Sequence, residues 1–153
     1  MLASGDRAPA FSLPDLNGSV HSLSEMLKRG SVLAVLYKVS CPVCQLTLPY
    51  IQRIARGALQ IVSISQDDAP ATTRFMSAYG LSMATLLDSQ KSGYAVSNAF
   101  GITHVPSLFL IEPDGAISFT GSGFSKSDLE ALAARAGTPI FRPGENVPAW
   151  KAG

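Results

Sequence analysis

Cysteine and histidine are scarce in this 153-residue chain, which holds two of each. Two cysteines are too few for a disulfide-built scaffold. They are also too few for a zinc site without imidazoles, and His21 and His104 stand at no zinc-finger spacing from them. A charge excess is missing too: twelve Lys and Arg against eleven Asp and Glu leave +1. Nothing in that balance asks for nucleic acid or an anionic membrane, both of which favour a basic excess. The longest apolar run, residues 32–37, is far too short to span a bilayer. The opening MLASGDRAPAF shows no cationic start followed by an apolar stretch, so no signal peptide is read and cytoplasm is the default expectation. No repeat, low-complexity block, Gly-rich phosphate loop or Ser/His/Asp constellation is present. What remains is 46% apolar and 15% charged, at a length that suits one folded domain with a real core.

The pattern along the chain alternates strand and helix. Residues 11–13 and 20–22 flank Asp15-Leu16-Asn17-Gly18 and predict a small hairpin, with positive φ at both Asn17 and Gly18. Ser22-Leu23-Ser24-Glu25 opens a short helix that Gly30 closes. Residues 31–39 (SVLAVLYKV) are apolar at consecutive positions, which suits a strand covered on both faces. From Cys44 the period changes: Cys44, Leu48, Ile51 and Ala55 mark one helix face, and Gly57 is the stop. A strand over 60–65, a helix over 69–79 and a short strand over 84–87 follow, then a short helix over 94–100. Strands over 107–111 and 116–120 surround Glu112-Pro113-Asp114-Gly115, where proline presets φ and glycine accepts the reversal. Ser127-Asp128-Leu129-Glu130 reads as a capping box for a helix to Ala136, with Gly137 after it. These elements predict an α/β fold over residues 1–137, and residues 138–153 an extended tail that is either pinned to the body by Phe141 and Trp150 or loose.

Both cysteines fall in one short stretch, Val39-Ser40-Cys41-Pro42-Val43-Cys44, where the apolar strand hands over to its helix. Function in α/β proteins concentrates at such junctions. A helix N-terminus offers roughly half a unit of positive charge and free N–H groups, and Pro42 sits where its missing N–H costs little. Cys41 is therefore expected to be the exposed, nucleophilic sulfur, and Cys44, one turn along on the apolar face, the buried one. Three positions of separation bring two helical sulfurs within reach of a disulfide. The reaction class is thiol–disulfide exchange: Cys41 attacks, a mixed disulfide forms, and Cys44 resolves it. An inert structural bridge over so small a loop would add little stability. Val105-Pro106 at the start of the 107–111 strand is the second feature, since a turn there would present Val105 N–H and C=O to a bound peptide.

Cys-Pro-Val-Cys after an apolar strand, Pro49 five residues on, and Val-Pro-Ser-Leu-Phe-Leu-Ile before a Pro-Asp-Gly turn resemble the thioredoxin superfamily. GDRAPAFSLPDLNGSVHSLSEM resembles the opening of its redoxin branch, which includes TlpA-like and ResA-like thiol–disulfide oxidoreductases and the peroxiredoxins. The likeness runs from about Gly5 to Ala136. It implies a thioredoxin-like fold, a central mixed sheet flanked by helices, with an N-terminal hairpin extension. It implies Cys41 as attacking thiol, Cys44 as resolving thiol, Pro106 as the cis-proline facing them, and Pro49 as a kink in the active-site helix. Pro42, Val43 and Val105 complete the supporting surface. The redox group is the cysteine pair itself, so no cofactor and no metal is expected. The partners are protein thiols and disulfides, and the chain is expected to act as a monomer.

Three departures from the family pattern stand out. Ser40 replaces the tryptophan that often precedes the first cysteine. The buried aspartate of thioredoxins falls at Val35, and the glutamate of ResA-like proteins falls at Thr47. The pair thus lacks either standard acid–base assistant for Cys44. Lys38 is the one nearby cation able to favour a thiolate. Two rival readings follow from the same residues. A peroxiredoxin-like peroxidase needs a Pro-x-x-x-Thr-x-x-Cys motif, and residues 37–41 offer neither the proline nor the threonine. A copper protein of the SCO type uses a cysteine pair and a distant histidine for Cu(I). Those proteins space the cysteines by three residues, unlike Cys41 and Cys44, and His104 reads better as a loop residue. Asp67-Asp68 reads as a solvated loop, and His21 as plain structure.

Overall fold

The computed structural model describes residues 1–153. Five strands form the central sheet: β3 (Val32–Tyr37), β4 (Gln60–Ser65), β5 (Ala84–Leu87), β6 (Ser107–Ile111) and β7 (Ile117–Ser122), in the order β5-β4-β3-β6-β7. The first three are mutually parallel, whereas β6 runs antiparallel to β3 and β7 antiparallel to β6. The sheet is therefore mixed, as expected. The strands β1 (Ser12–Pro14) and β2 (Val20–Ser22) make a separate antiparallel pair at the N-terminal end.

Every residue of β3 is buried because helices cover both faces of its sheet. Leu33, Val35 and Tyr37 join the core under α2 (Pro42–Ile54) and α5 (Lys126–Ala136), with Cys44, Leu48 and Ile51 opposite. Val32, Ala34 and Leu36 point the other way, toward α1 (Leu23–Leu27), α4 (Ala95–Ala99) and the hairpin residues Phe11 and Leu13. Strand alternation thus divides one continuous apolar run between two cores. The helix α3 (Ala69–Tyr79) adds Phe75 to the first core. No helix is long and apolar enough to cross a membrane.

Local details differ from the expectations at three places. In the β1–β2 turn only Gly18 takes positive φ, at 88°; the Asp15 carboxylate accepts the Asn17 and Ser19 N–H groups and sets the turn instead. The cap of α5 is Ser125, whose Oγ accepts the Asp128 N–H, so the Ser127 box does not start the helix. Asp67-Asp68 is not merely solvated, because Asp68 caps α3 through the Ala71 N–H and Asp67 accepts the Val39 N–H at 2.9 Å.

Of the two alternatives for residues 138–153, the structure shows the pinned one: they fold back on the body, held by Phe141 and not by Trp150, which is 62% exposed. Ile140 is buried, and Phe141 packs on Tyr50 and Phe124 at ring-centroid distances of 5.1 and 6.5 Å. Arg53 donates two hydrogen bonds to Glu145, at 2.8 and 2.7 Å, and one to the Ile140 carbonyl. The segment ends in β9 (Trp150–Lys151), paired antiparallel with β8 (Phe124–Ser125). Neither two-residue strand has a periodicity that sequence could reveal.

Candidate active site

The thiols stand where β3 gives way to α2. Cys41 is the N-cap residue in an extended conformation, and Pro42 occupies the first helical turn. The Cys41 side chain takes the place a serine or aspartate cap would fill: its Sγ accepts the Cys44 N–H at 3.1 Å. The same sulfur lies 3.5 Å from the Val105 carbonyl oxygen, to which its S–H donates. Cys41 is half-buried and Cys44 is 0% exposed, so only the first sulfur is open to a partner.

Burial pushes the Cys44 thiol well above its ordinary range, and the adjacent Cys41 side chain raises it further. The Lys38 backbone amide opposes that rise, while the charge of Asp67 adds to it. Asp67 is the carboxylate that sequence reasoning missed. It comes from the loop after β4, twenty-three residues beyond Cys44, and nothing in its local pattern marks it. Through the Val39 N–H it also holds the segment leading to Cys41, and Gln45 Nε2 clamps the same residue by donating to the Val39 carbonyl at 3.0 Å.

Tyr37 completes the buried side of the site. Its ring packs on Phe75, and its hydroxyl has no hydrogen-bond partner. The nearby Ser63 and Ser65 hydroxyls are engaged with Thr85 and Thr72. Burial raises the Tyr37 phenol to about 12, and neighbouring Asp67 and Cys44 contribute in the same direction. Tyr37 is thus a neutral wall at the Cys44 side.

Val35 is core, and the Thr47 hydroxyl donates to the Val43 carbonyl at 2.7 Å, so neither position offers a proton acceptor to Cys44. Pro49 lies inside α2 and leaves the Gln45 carbonyl without its helical donor. Val43 packs at the edge of the core, and Pro42 is exposed beside Cys41. The Val105–Pro106 bond is cis, and the Pro106 carbonyl accepts the Gly123 N–H at 2.9 Å. Val105 N–H and C=O make no backbone hydrogen bond. The Lys38 side chain is exposed and has no ion pair, so the structure does not bring its ammonium to the sulfurs by any bond.

His104 is exposed, with Nδ1 2.9 Å from the Thr103 hydroxyl. His21 Nε2 pairs with Asp15 at 2.8 Å on the far hairpin. No group of three or more His, Cys, Asp or Glu side chains is placed to hold a metal ion. A concavity of about 430 Å³ opens between the hairpin and β5 and includes neither thiol.

Comparison with known proteins adds an independent line. The profile of the Redoxin family matches residues 3–134. The methylamine utilization protein MauD of Methylorubrum extorquens is 31% identical over 131 residues, covering 84% of this chain and 62% of that protein. The thiol-disulfide oxidoreductase ResA of Geobacillus kaustophilus is 27% identical over 136 residues, covering 84% of this chain and 75% of its own. Among solved structures, the thioredoxin domain of a thiol-disulfide oxidoreductase from Bacteroides vulgatus superposes with a TM-score of 0.77 at 22% identity. It covers 88% of this chain and 98% of that domain. The chain therefore has the thioredoxin-like fold, and it spans less than two thirds of the length of MauD.

Proposed function

The chain belongs to the redoxin family, and on that footing we propose that it is a thiol–disulfide oxidoreductase exchanging disulfides with protein partners through Cys41 and Cys44. The observation that carries this reading is the asymmetry of the pair. One sulfur is half-exposed at a helix N-terminus, tied to a backbone N–H, and the other is fully buried one turn along.

The chemistry balances without a cofactor. The Cys41 thiolate attacks one sulfur of a partner disulfide; a Cys41–partner bond forms, and the other partner sulfur leaves as a thiolate. Cys44 then gives up its proton and attacks Cys41 Sγ. The Cys41–Cys44 bond forms, the second partner thiolate leaves, and two electrons have passed from the pair to the partner. Run backward, the same steps oxidise the partner. Pro42 and Val43 form the exposed rim around the first sulfur. Val105 offers beside it an N–H with no backbone partner and a C=O that accepts the Cys41 S–H, which suits an extended peptide adding to the edge.

Substituting each thiol in turn tests the assignment. Cys44→Ser is expected to accumulate mixed disulfides with protein partners, visible on non-reducing gels and removed by dithiothreitol. Cys41→Ser is expected to accumulate none and to lose insulin reduction. Full activity in Cys41→Ser refutes the roles.

A further inference from the structure

Residues 138–153 end at the edge that a peptide partner needs. The Lys126 N–H donates to the Ala149 carbonyl at 2.9 Å, Ser125 and Phe124 pair with Trp150 and Lys151, and the backbone at 153 arrives against Val105. The approach is so close that a Cβ on Gly153 would collide with the Val105 carbonyl. A Cβ on Gly123, which has φ +70°, would collide with the Lys151 carbonyl and stand 3.0 Å from the Gly153 nitrogen. The carbonyl that Cys41 Sγ faces at 3.5 Å is therefore covered from its other side by the chain itself.

The segment is held unevenly. Its first part is anchored by buried Ile140, by Phe141 against Tyr50 and Phe124, and by the two-bond Arg53–Glu145 pair. Beyond half-buried Val147, its last part has the Lys126–Ala149 hydrogen bond and the two-residue β8–β9 pairing, and Trp150 there is 62% exposed. Short, exposed pairing with little buried apolar surface opens at low cost. The hinge between the two parts is residues 146–149, which carry no helix or strand.

We propose that residues 138–153 form a strap, anchored at Glu145, whose β9 end screens the Cys41–Val105 edge and so selects among disulfides. A small disulfide reaches Cys41 Sγ past the closed strap. A protein segment that pairs with Val105 must first displace β9. The strap thereby weakens docking of extended protein partners and leaves the chemistry of the pair untouched. This proposal rests on the oxidoreductase reading for its rate measurement, though not for the exchange measurement below.

The test uses the full chain carrying Glu145→Gln and Lys151→Pro, which weaken the anchor and remove a strand N–H without touching either thiol. Exchange is measured with insulin and with 5,5′-dithiobis(2-nitrobenzoic acid). If the strap is closed nine-tenths of the time, opening it raises the insulin rate constant about tenfold, because docking is weakened by the competent fraction. The rate with the small disulfide stays unchanged. Equal rates with insulin in both proteins, or parallel loss with both substrates, overturn the proposal.

A second readout needs no enzymatic activity. A cysteine peptide activated as its pyridyl disulfide is attached to Cys41 in the Cys44→Ser protein, and hydrogen exchange is followed at the Lys126 amide, whose acceptor is Ala149. Loss of protection on attachment supports displacement of the strap even if insulin is not a substrate. Unchanged protection refutes it even if insulin is reduced.

Discussion

The Cys44 amide N–H donates to Cys41 Sγ at 3.1 Å, so the first sulfur is held by the backbone of the residue that carries the second. Any movement of the N-terminal turn of α2 moves both sulfurs together. The arrangement separates their chemistry while keeping them adjacent: Cys41 faces outward beside Val105, and Cys44 lies in the core with Leu48 and Ile51.

Alkylation should follow that division. In the reduced native protein iodoacetamide is expected to modify Cys41 and spare Cys44, and both thiols are expected to react once the protein is unfolded in urea. Peptide mapping by mass spectrometry reads the order, and early labelling of Cys44 contradicts it.

Resolution of the mixed disulfide should be the pH-limited step. Burial and the Cys41 neighbour hold the Cys44 proton in place above its ordinary value of 9.0. The rate at which Cys44 releases a small thiol from Cys41 is therefore expected to keep rising through pH 9, with no plateau there. The Asp67 charge contributes to that rise. Asp67→Asn keeps an oxygen to accept the Val39 N–H and removes the charge, so the profile is expected to move to lower pH. Stopped-flow release from a preformed mixed disulfide measures it; an unmoved profile limits Asp67 to holding Val39.

Acid should loosen the strap. Arg53, followed by the Arg142 N–H, holds the Glu145 carboxyl down at about 2, below its ordinary 4.5. A lowered carboxyl contributes its stabilisation fully above the ordinary value and loses it as pH falls toward the folded one. The Lys126 and Lys151 amides are accordingly expected to lose protection between pH 4.5 and about 2. In Glu145→Gln the same amides are expected to show weaker protection with no step in that range. NMR-detected exchange at matched intrinsic rates reads both.

Gly57 supplies a prediction about stability alone. An added Cβ would stand 2.9 Å from the Ala136 Cβ and collide with the Ala136 carbonyl, which already accepts the Ala58 N–H. Gly57→Ala is expected to lower stability by about 1–3 kcal/mol, the usual cost of forcing atoms into a packed contact. Urea denaturation measures the loss, with thiol reactivity of the folded fraction unchanged. A stability equal to wild type refutes the contact.

Gly57 also illustrates what sequence conveys and what it withholds. Its place after a periodic helix marks it as a stop, which is a local property. Its close approach to Ala136, seventy-nine residues later, is tertiary and leaves no local trace. The same division runs through the site. The β3 run, the period change at Cys44 and the Pro42 position follow from side-chain period and backbone sterics, so the strand–thiol–helix unit was legible from residues 31–55. Asp67 and Tyr37 converge on Cys44 only because β3 and β4 pair in register, Tyr37 opposite Ser65. The Ser125 cap was hidden by a better-looking Ser127 box, since the β8 pairing decides where α5 begins. Residues 138–153, with four prolines and glycines after Thr138 before Trp150, offer no period at all. Their docking depends on aromatic partners and an arginine supplied by other elements.

An equilibrium redox titration of the Cys41–Cys44 pair against dithiothreitol or glutathione, read by thiol labelling and mass, tests whether the two sulfurs act as one redox unit. One reversible two-electron transition is expected in which both thiols disappear together, at a potential in the range spanned by known dithiol oxidoreductases, about −270 to −120 mV. A pair that never closes reversibly, or cysteines that oxidise independently, would mean that Cys41 and Cys44 do not form a redox couple.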